Sequence, residues 1–451
     1  MKARELAYRV LLKVEEGGYA NLLLDEYLNK YELSSLDRAF VTELVYGTIK
    51  YQARLDWFIH QLVKKAGKLE TGPRLLLRLA FYQLNHMDRV PPAAVTDEAV
   101  KLAKKLFHRG VAGLINGVLR NYLRNPGQVK LPRQEDDPLL YLEVVYSHPR
   151  WMVRRWLDRY GLENTIKLCE FNNAPADLWI RTNTLRTTRE SLQDRLATEG
   201  CEVALSHKVP EGLLLKSAPP LNKLSAFQAG LFTVQDESSM LVAHMLKPKP
   251  HQTVLDVCAG PGGKTTHLAQ LMEDKGLIVA CDVHEHRLNL INENARRLGI
   301  TIIRTQLQDA TKIGEIAKAH YPLILVDAPC SGLGVIRRRP DARWRKKPED
   351  ITILASLQKA ILESVLKVLA PGGRLIYSTC TIEPEENFGV IEAIKASHPE
   401  LKSINLKPYL PYEPAGQEKL AQLERGMVQF LPFVDGMDGF FIAGLEKPLP
   451  S

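Results

Sequence analysis

Residues Thr253 to Lys264 read TVLDVCAGPGGK, and this stretch decides the fold. Val254, Leu255 and Val257 form a short apolar run with β-branched residues, the pattern of a buried parallel strand. A glycine turn, Gly260-Pro261-Gly262-Gly263, ends the run, and helix-type residues follow (Thr265, Thr266, Leu268, Leu271). Strand, glycine turn and helix make the first βα unit of a doubly wound sheet. Ligands bind at the carboxyl ends of such strands, because glycine lets backbone N–H groups approach closely. Two nucleotide motifs each fail here by one residue. A dinucleotide fingerprint needs glycine at 265, which is Thr; a P-loop needs glycine at 258, which is Cys.

Outward from this unit the α/β rhythm is regular. Strands are expected at 277–282, 301–305, 322–327 and 374–379, with helices between them, 350–369 being the clearest. Residues 427–431 and 439–445 read as a terminal hairpin on the sheet. Asp282 ends the second strand about 20 residues past the glycine turn, where an acid meets ribose hydroxyls in such folds. Asp309 follows the third strand, placed to accept from an adenine amino group, and Asp327 ends the fourth. Three acids at one end of three strands converge on one crevice. A nucleoside-bearing, non-phosphorylated cofactor suits them, and S-adenosylmethionine (SAM) fits. Asp256, at the end of the first strand, is placed to orient the glycine loop.

Six cysteines are present and none forms a CxxC pair, so neither zinc nor any other metal is expected. Two of them stand at functional strand ends: Cys330 behind Asp327-Ala328-Pro329, and Cys380 behind Ser378-Thr379. Neighbouring strands would set both sulfurs beside the cofactor's methyl group. Pyrimidine C5 is a poor nucleophile, and addition of a thiolate at C6 makes it enamine-like, so it can attack a methyl sulfonium; the C5 proton then leaves and the thiol is eliminated. A carboxyl at Asp327 is placed to hydrogen-bond the pyrimidine N3 and support the charge of the adduct. Amino-methylation usually takes Asp/Asn-Pro-Pro-aromatic here, and Asp-Ala-Pro-Cys speaks against it.

The rest of the 451 residues divides in front of this domain. Residues 3 to about 124 carry helical apolar spacing, including 37–63 with a break near Gly47. Residues 125–145 are Pro-, Gly- and acid-rich and read as a linker; residues from about 147 to 232 mix helices and strands. The expected organisation is an all-α domain (1–128), a small α+β subdomain (146–232) and an α/β Rossmann-like catalytic domain (233–451). The net charge is +8, which suits a polyanionic partner. Basic residues cluster at Lys101, Lys104 and Lys105, and again in Arg337 to Lys347 (RRRPDARWRKK), with seven basic residues, one acid and a tryptophan. Arg337, Arg338, Arg339 and Arg343 are expected to contact phosphate and Trp344 to stack on a base. No run approaches the roughly 18 apolar residues of a membrane span and the start lacks a signal-peptide core, so a cytoplasmic protein without a membrane partner is expected.

TVLDVCAGPGGKTTHLA, VDAPCSGLG and YSTCTIEPEEN closely resemble the RNA cytosine-5 methyltransferases of the Nol1/Nop2/Sun type, and FQAGLFTVQDESSM (227–240) matches the segment leading into their catalytic domain. The resemblance implies that Cys380 is the nucleophile and that Cys330 assists proton removal and release of the adduct. It also implies cofactor contacts at Cys258, Ala259, Gly260, Pro261, Gly262, Gly263, Lys264, Asp282, Asp309 and Asp327. SSLDRAFVTELVYGTIKYQARLDWFI, LRLAFYQLNHMDRVPPAAV and GLINGVLRNYLR are similar to the NusB-type helical RNA-binding domain. The fusion of the two resembles the bacterial 16S ribosomal RNA methyltransferases of that family, which implies cytosine 967 of 16S RNA as target. The target base must leave its stack, so an unstructured RNA, free or in an early assembly intermediate, is expected. The rival readings are a non-catalytic RNA-binding assembly factor, and the same chemistry on a cytosine of tRNA or 23S RNA.

Overall fold

Helix-period apolar stripes dictate the first part of the chain. In the computed structural model, which describes residues 2–316 and 320–449, they form helices Ala3–Glu15, Ala20–Lys30, Ser35–Lys50, Gln52–Leu62, Thr71–His86, Pro92–Leu106 and Arg109–Arg124. Thr71–His86 is buried over most of its circumference, Leu75 to Gln83, and the others pack their apolar faces around it through Leu6, Val10, Leu44, Leu55 and Ile115. The break expected near Gly47 falls instead at Tyr51. Gly47 stays helical, and its missing side chain makes room for the Tyr82 ring: a Cβ there would lie 1.9 Å from the ring.

The stretch 125–145, expected to be a linker, contains helix Pro138–Val145. Asp137 caps it by accepting from Leu140 N (2.9 Å), Pro138 occupies the first turn, and Leu139, Leu142 and Val144 are buried. The acid-rich composition masked an Asp-Pro helix start. Helix Arg150–Asn173 follows, broken at Gly161, where φ is +72°. Among the described residues, no helix is long and apolar enough to cross a membrane.

The chain forms two compact units: Met1–Ala174 with Ile336–Lys346, and Pro175–Val335 with Lys347–Ser451. Much of the basic run therefore belongs to the helical unit, where Arg343 and Trp344, expected on RNA, are engaged within the protein. Arg343 is fully buried and donates to Ser147 O (3.1 Å), Asn172 O (3.1 Å) and Asn173 Oδ1 (2.8 Å). Trp344 Nε1 donates to Ile49 O (2.7 Å), and Arg345 donates to Gly17 O (2.6 Å) and Gly18 O (2.9 Å) while its guanidinium lies 4.0 Å from the Tyr19 ring centroid. Arg337 lies over the Phe171 ring at 4.1 Å. The acceptors lie at or just beyond the carboxyl ends of helices 3–15, 35–50, 138–145 and 150–173, where backbone carbonyls lack helical partners and the dipole favours cations. Conversely, Asp341 accepts from Ala20 N (3.3 Å) at a helix start. Burial lowers the Arg343 pKa to about 10, so it remains charged at neutral pH.

The second unit holds two sheets. The smaller is antiparallel, with strands β1 (Leu178–Thr182), β2 (Glu202–Leu205), β3 (Gly212–Ser217) and β4 (Phe232–Val234) in the order β2-β3-β1-β4. The expected α+β piece is thus divided: its long helix packs in the first unit and its sheet in the second. The larger sheet contains β5 (Thr253–Asp256), β6 (Leu277–Asp282), β7 (Ile303–Leu307), β8 (Tyr321–Asp327), β9 (Leu369–Thr379), β10 (Lys402–Ser403), β11 (Met427–Phe430) and β12 (Phe440–Glu446). Its order is β10-β12-β9-β8-β5-β6-β7, with β11 paired to β12. Strands β5 to β9 are mutually parallel where they pair, and the β11–β12 hairpin joins antiparallel through β12 and β9. The strand expected at 301–305 is displaced to 303–307. Because β5 lies between β8 and β6, the strand order reverses beside it, and the crevice at its carboxyl end is the ligand position of such a sheet.

Replacing Arg343 by Met keeps the bulk and removes the donors, leaving several buried acceptors unsatisfied at about 1–3 kcal/mol each. Arg343→Met is expected to destabilise the full chain by about 3 kcal/mol, read as a lower urea midpoint. An unchanged midpoint would show that the guanidinium is not structural.

Candidate active site

Polar side chains tie down the loops of the crevice. At the end of β5, Asp256 is 1% exposed; its Oδ2 accepts from Thr265 Oγ1 (2.7 Å), which joins the strand to helix Gly263–Leu271 across the glycine turn. Burial pushes the Asp256 pKa up to about 7. Asp282, at the end of β6, accepts from Gly260 N (3.1 Å) through Oδ2 and from His284 N (2.9 Å) through Oδ1. A Cβ on Gly260 would stand 2.6 Å from Asp282 Oδ2, so only glycine lets this loop close on the acid. Gly262 adopts φ +99°, the left-handed region that admits glycine readily. Arg181 of β1, also buried, donates to Gly263 O (2.7 Å) and Thr266 Oγ1 (3.0 Å), bracing the start of the helix from the smaller sheet.

Asp309 follows β7 and accepts from Thr311 N (2.9 Å) and Thr311 Oγ1 (2.7 Å), which hold its carboxyl below the usual range. Asp327, at the end of β8, accepts from Lys264 Nζ (2.6 Å) and from Ser378 Oγ (2.8 Å). Lys264 thus neutralises the acid at the end of β8 and links the glycine loop to it. The Cys258 thiol is held neutral by burial and by the surrounding acids, Asp256 first.

Cys330 and Cys380 meet. Parallel pairing sets Asp327 opposite Ser378, and the loops beyond bring the two sulfurs to 3.3 Å. Both cysteines are half-buried. The Cys330 thiol is raised well above its ordinary pKa, first by its hydrogen bond with Cys380 and then by burial. The segment after Cys380 holds both loops. Glu386 accepts from Ser331 N (2.8 Å), from Ser331 Oγ and from Gln358 Nε2 (2.9 Å), and Ser331 Oγ contacts Thr381 Oγ1 (2.8 Å). Asn387 accepts from Thr379 Oγ1 (2.5 Å) and donates to Thr381 O (3.0 Å), gripping both neighbours of Cys380. Gly334 N donates to Cys380 O (3.0 Å).

Glu386, Asn387, Gln358 and Arg181 carry positions that the sequence reading did not assign. Glu386 and Asn387 lie six and seven residues after Cys380, and the signal was available: an acid and an amide running directly into an apolar helix, Phe388–Ser397, are buried only where partners await them. Of the expected RNA contacts, Arg343 and Trp344 are engaged inside the protein. Lys101 pairs with Asp97 (2.6 Å) and Glu98 (3.3 Å), and Lys105 with Glu5 (2.8 Å). Lys104 and Arg339 are exposed.

Comparison with known proteins agrees with this geometry. A family profile described as 16S rRNA methyltransferase RsmB/F matches residues 243–446, the NusB family matches 1–124, and an RsmF/B-like ferredoxin-like domain matches 148–222. The probable ribosomal RNA small subunit methyltransferase B of Bacillus subtilis (strain 168) is 41% identical over 449 residues, covering 98% of each chain. The crystal structure of PH0851 superimposes with a TM-score of 0.82 at 30% identity, over 99% of this chain and 98% of that one. NSun6 from Pyrococcus horikoshii, solved with SFG, gives 0.61 at 26% identity, over 67% of this chain and 99% of that one. The fold is thus a NusB-type helical domain, a ferredoxin-like subdomain and a methyltransferase domain. The chain belongs to the RsmB/F family of 16S ribosomal RNA methyltransferases.

Proposed function

We propose that this chain methylates C5 of a cytosine in 16S ribosomal RNA, cytosine 967, using SAM and a transient covalent bond from Cys380 to the base. The observation that carries the reading is the approach of two thiols to 3.3 Å beyond the ends of adjacent parallel strands, next to Asp327. The residues present fit SAM: the glycine cradle at Gly260 closes on Asp282, and Asp309 and Asp327 lie at the ends of neighbouring strands. Cys258 to Lys264 with these acids would hold it, and the similar NSun6 was solved with SFG. When bound, SAM supplies an electrophilic methyl group.

The chain's own residues do the rest. The Cys380 thiolate adds to C6 of the cytosine, and the C5–C6 electron pair becomes available at C5. Asp327, with one oxygen on Lys264 and the other on Ser378, is held in place to support charge on the pyrimidine. After C5 is methylated, Cys330 as thiolate takes the C5 proton; the electrons left in that C–H bond restore the C5–C6 double bond and expel Cys380. Glu386 and Asn387 keep the two sulfurs at their separation. The substrate is RNA whose target base can be flipped out, free or in an early assembly intermediate in the cytoplasm.

Incubated with labelled SAM and unmodified 16S RNA, the chain is expected to place one 5-methylcytosine at position 967. Cys380→Ala is expected to lose transfer by about a thousandfold or more and to form no denaturant-resistant RNA complex. Cys330→Ala is expected to form that complex and release it about a hundredfold more slowly. A stable complex with Cys380→Ala would reverse the two roles, and label in tRNA alone would discard the target. Cofactor binding with no label in any RNA would leave a non-catalytic assembly factor.

The pH dependence has a definite sign. In the adduct Cys380 no longer offers its thiol, but burial still holds the Cys330 thiol above its ordinary range, so its basic form is a minor species at neutral pH and grows about tenfold per pH unit. Release of the adduct is expected to accelerate with a slope near one between about pH 7 and 8.5, and to be flat in Cys330→Ala. A flat profile in the unaltered chain would remove Cys330 as the base. For RNA contact, reversing the charge of exposed Lys104 or Arg339 is expected to weaken 16S RNA binding roughly fivefold each, with SAM binding unchanged and a shallower salt dependence. Unchanged RNA affinity in both variants would place the contact surface elsewhere.

A further inference from the structure

Glu211, His244 and His267 bring one ligand atom each to within 4.8 Å of one another, from three different elements of the second unit. Glu211 lies in the turn that precedes β3, His244 on helix Glu237–Leu246 and His267 on helix Gly263–Leu271. Glu211 is 5% exposed and His267 fully buried, while the His244 side chain is 17% exposed. His244 Nε2 lies 2.9 Å and His267 Nε2 2.5 Å from the same oxygen, Glu211 Oε1, and the two rings meet edge to face at 5.3 Å. His267 Nε2 meets the carboxylate directly, while its Nδ1 is buried without a hydrogen-bond partner. A buried imidazole nitrogen left without a partner is costly.

We propose that these three residues form a binding site for a borderline divalent cation of the zinc type, separate from the two reacting cysteines. Two imidazoles and a carboxylate are a donor set such ions accept, and the fourth position of a tetrahedral site is left to water. Tetrahedral zinc bonds of about 2.0–2.1 Å set donors about 3.4 Å apart, so the present spacings open by about 0.5–0.9 Å on binding. His244, the least buried of the three, is the entry side. The bound ion would tie the Glu211 turn to the two helices, one of which carries Lys264 and Thr265 at its start. Its role is structural: it steadies the helix behind the glycine loop and takes no part in methyl transfer. Cysteine spacing could not disclose it, because the ligands are histidines and an acid 33 and 56 residues along the chain from Glu211.

The test is titration of the chelator-treated full chain with Zn²⁺, and with Co²⁺ as a spectroscopic probe. One equivalent is expected to bind, with a rise in the thermal midpoint and, for Co²⁺, the absorption of a low-symmetry site with nitrogen and oxygen ligands. Glu211→Gln, which keeps the shape, and His244→Ala, at the least buried position, are each expected to lower uptake at least tenfold with the circular dichroism spectrum retained. Cys330→Ala/Cys380→Ala is expected to keep it. Absence of stoichiometric uptake would overturn the proposal. So would uptake that survives in Glu211→Gln and His244→Ala but disappears with the two cysteines, since the ion would then be on the thiols. Neither result bears on the methylation chemistry.

Discussion

The parallel pairing of β8 with β9 is the constraint on which the crevice depends. It sets Asp327 opposite Ser378, so the loops that follow leave the sheet side by side. Side chains alternate faces along a strand, and a slip of one residue would turn Ser378 away from Asp327 and carry Cys380 out of reach of Cys330. The register is specified by burial: Ile324, Leu325 and Val326 face Leu375, Ile376 and Tyr377 across the pair, and all are buried on both faces of the sheet. Apolar packing along the strands thereby fixes the position of the two thiols beyond their ends.

Beyond the strand ends, apolar packing gives way to buried polar contacts. Glu386 and Asn387 have no exposed surface, and each spans two segments: one fastens the residue after Cys330, the other the residues flanking Cys380. Such groups are directional where apolar contacts are not, because a missed partner leaves a dry acceptor or donor. The glycine loop follows the same logic from the other side, with Asp282 bonded to Gly260 N and Arg181 to Gly263 O. Two loops held this way lose little freedom when a substrate arrives, which is the physical content of preorganisation.

In the helical unit the same device acts through charge. Arg343 and Arg345 reach the carbonyls at the ends of four helices, and Asp341 meets the amide at the start of another. Cations at carboxyl ends and an acid at an amino end both run with the helix dipoles. A run of seven basic residues is thereby divided between structural anchors and exposed groups such as Arg339, a division that composition does not reveal.

The sequence by itself determined the helical first part, the α/β second part, the glycine turn at 260–263, the acids at three strand ends and the two cysteines at two. These are local patterns: apolar periodicity, turn chemistry and position relative to a strand end survive in one dimension. It also contained the start of helix Pro138–Val145 in Asp137-Pro138, obscured by the acids around it. Only the tertiary structure decided that Gly47 continues a helix against Tyr82, that Arg343 is buried, that Glu386 and Asn387 hold the cysteine loops, and that Glu211, His244 and His267 share one place. Each of those depends on a partner far away in the chain, and the burial of a polar side chain is set by whether that partner arrives, which no local pattern encodes.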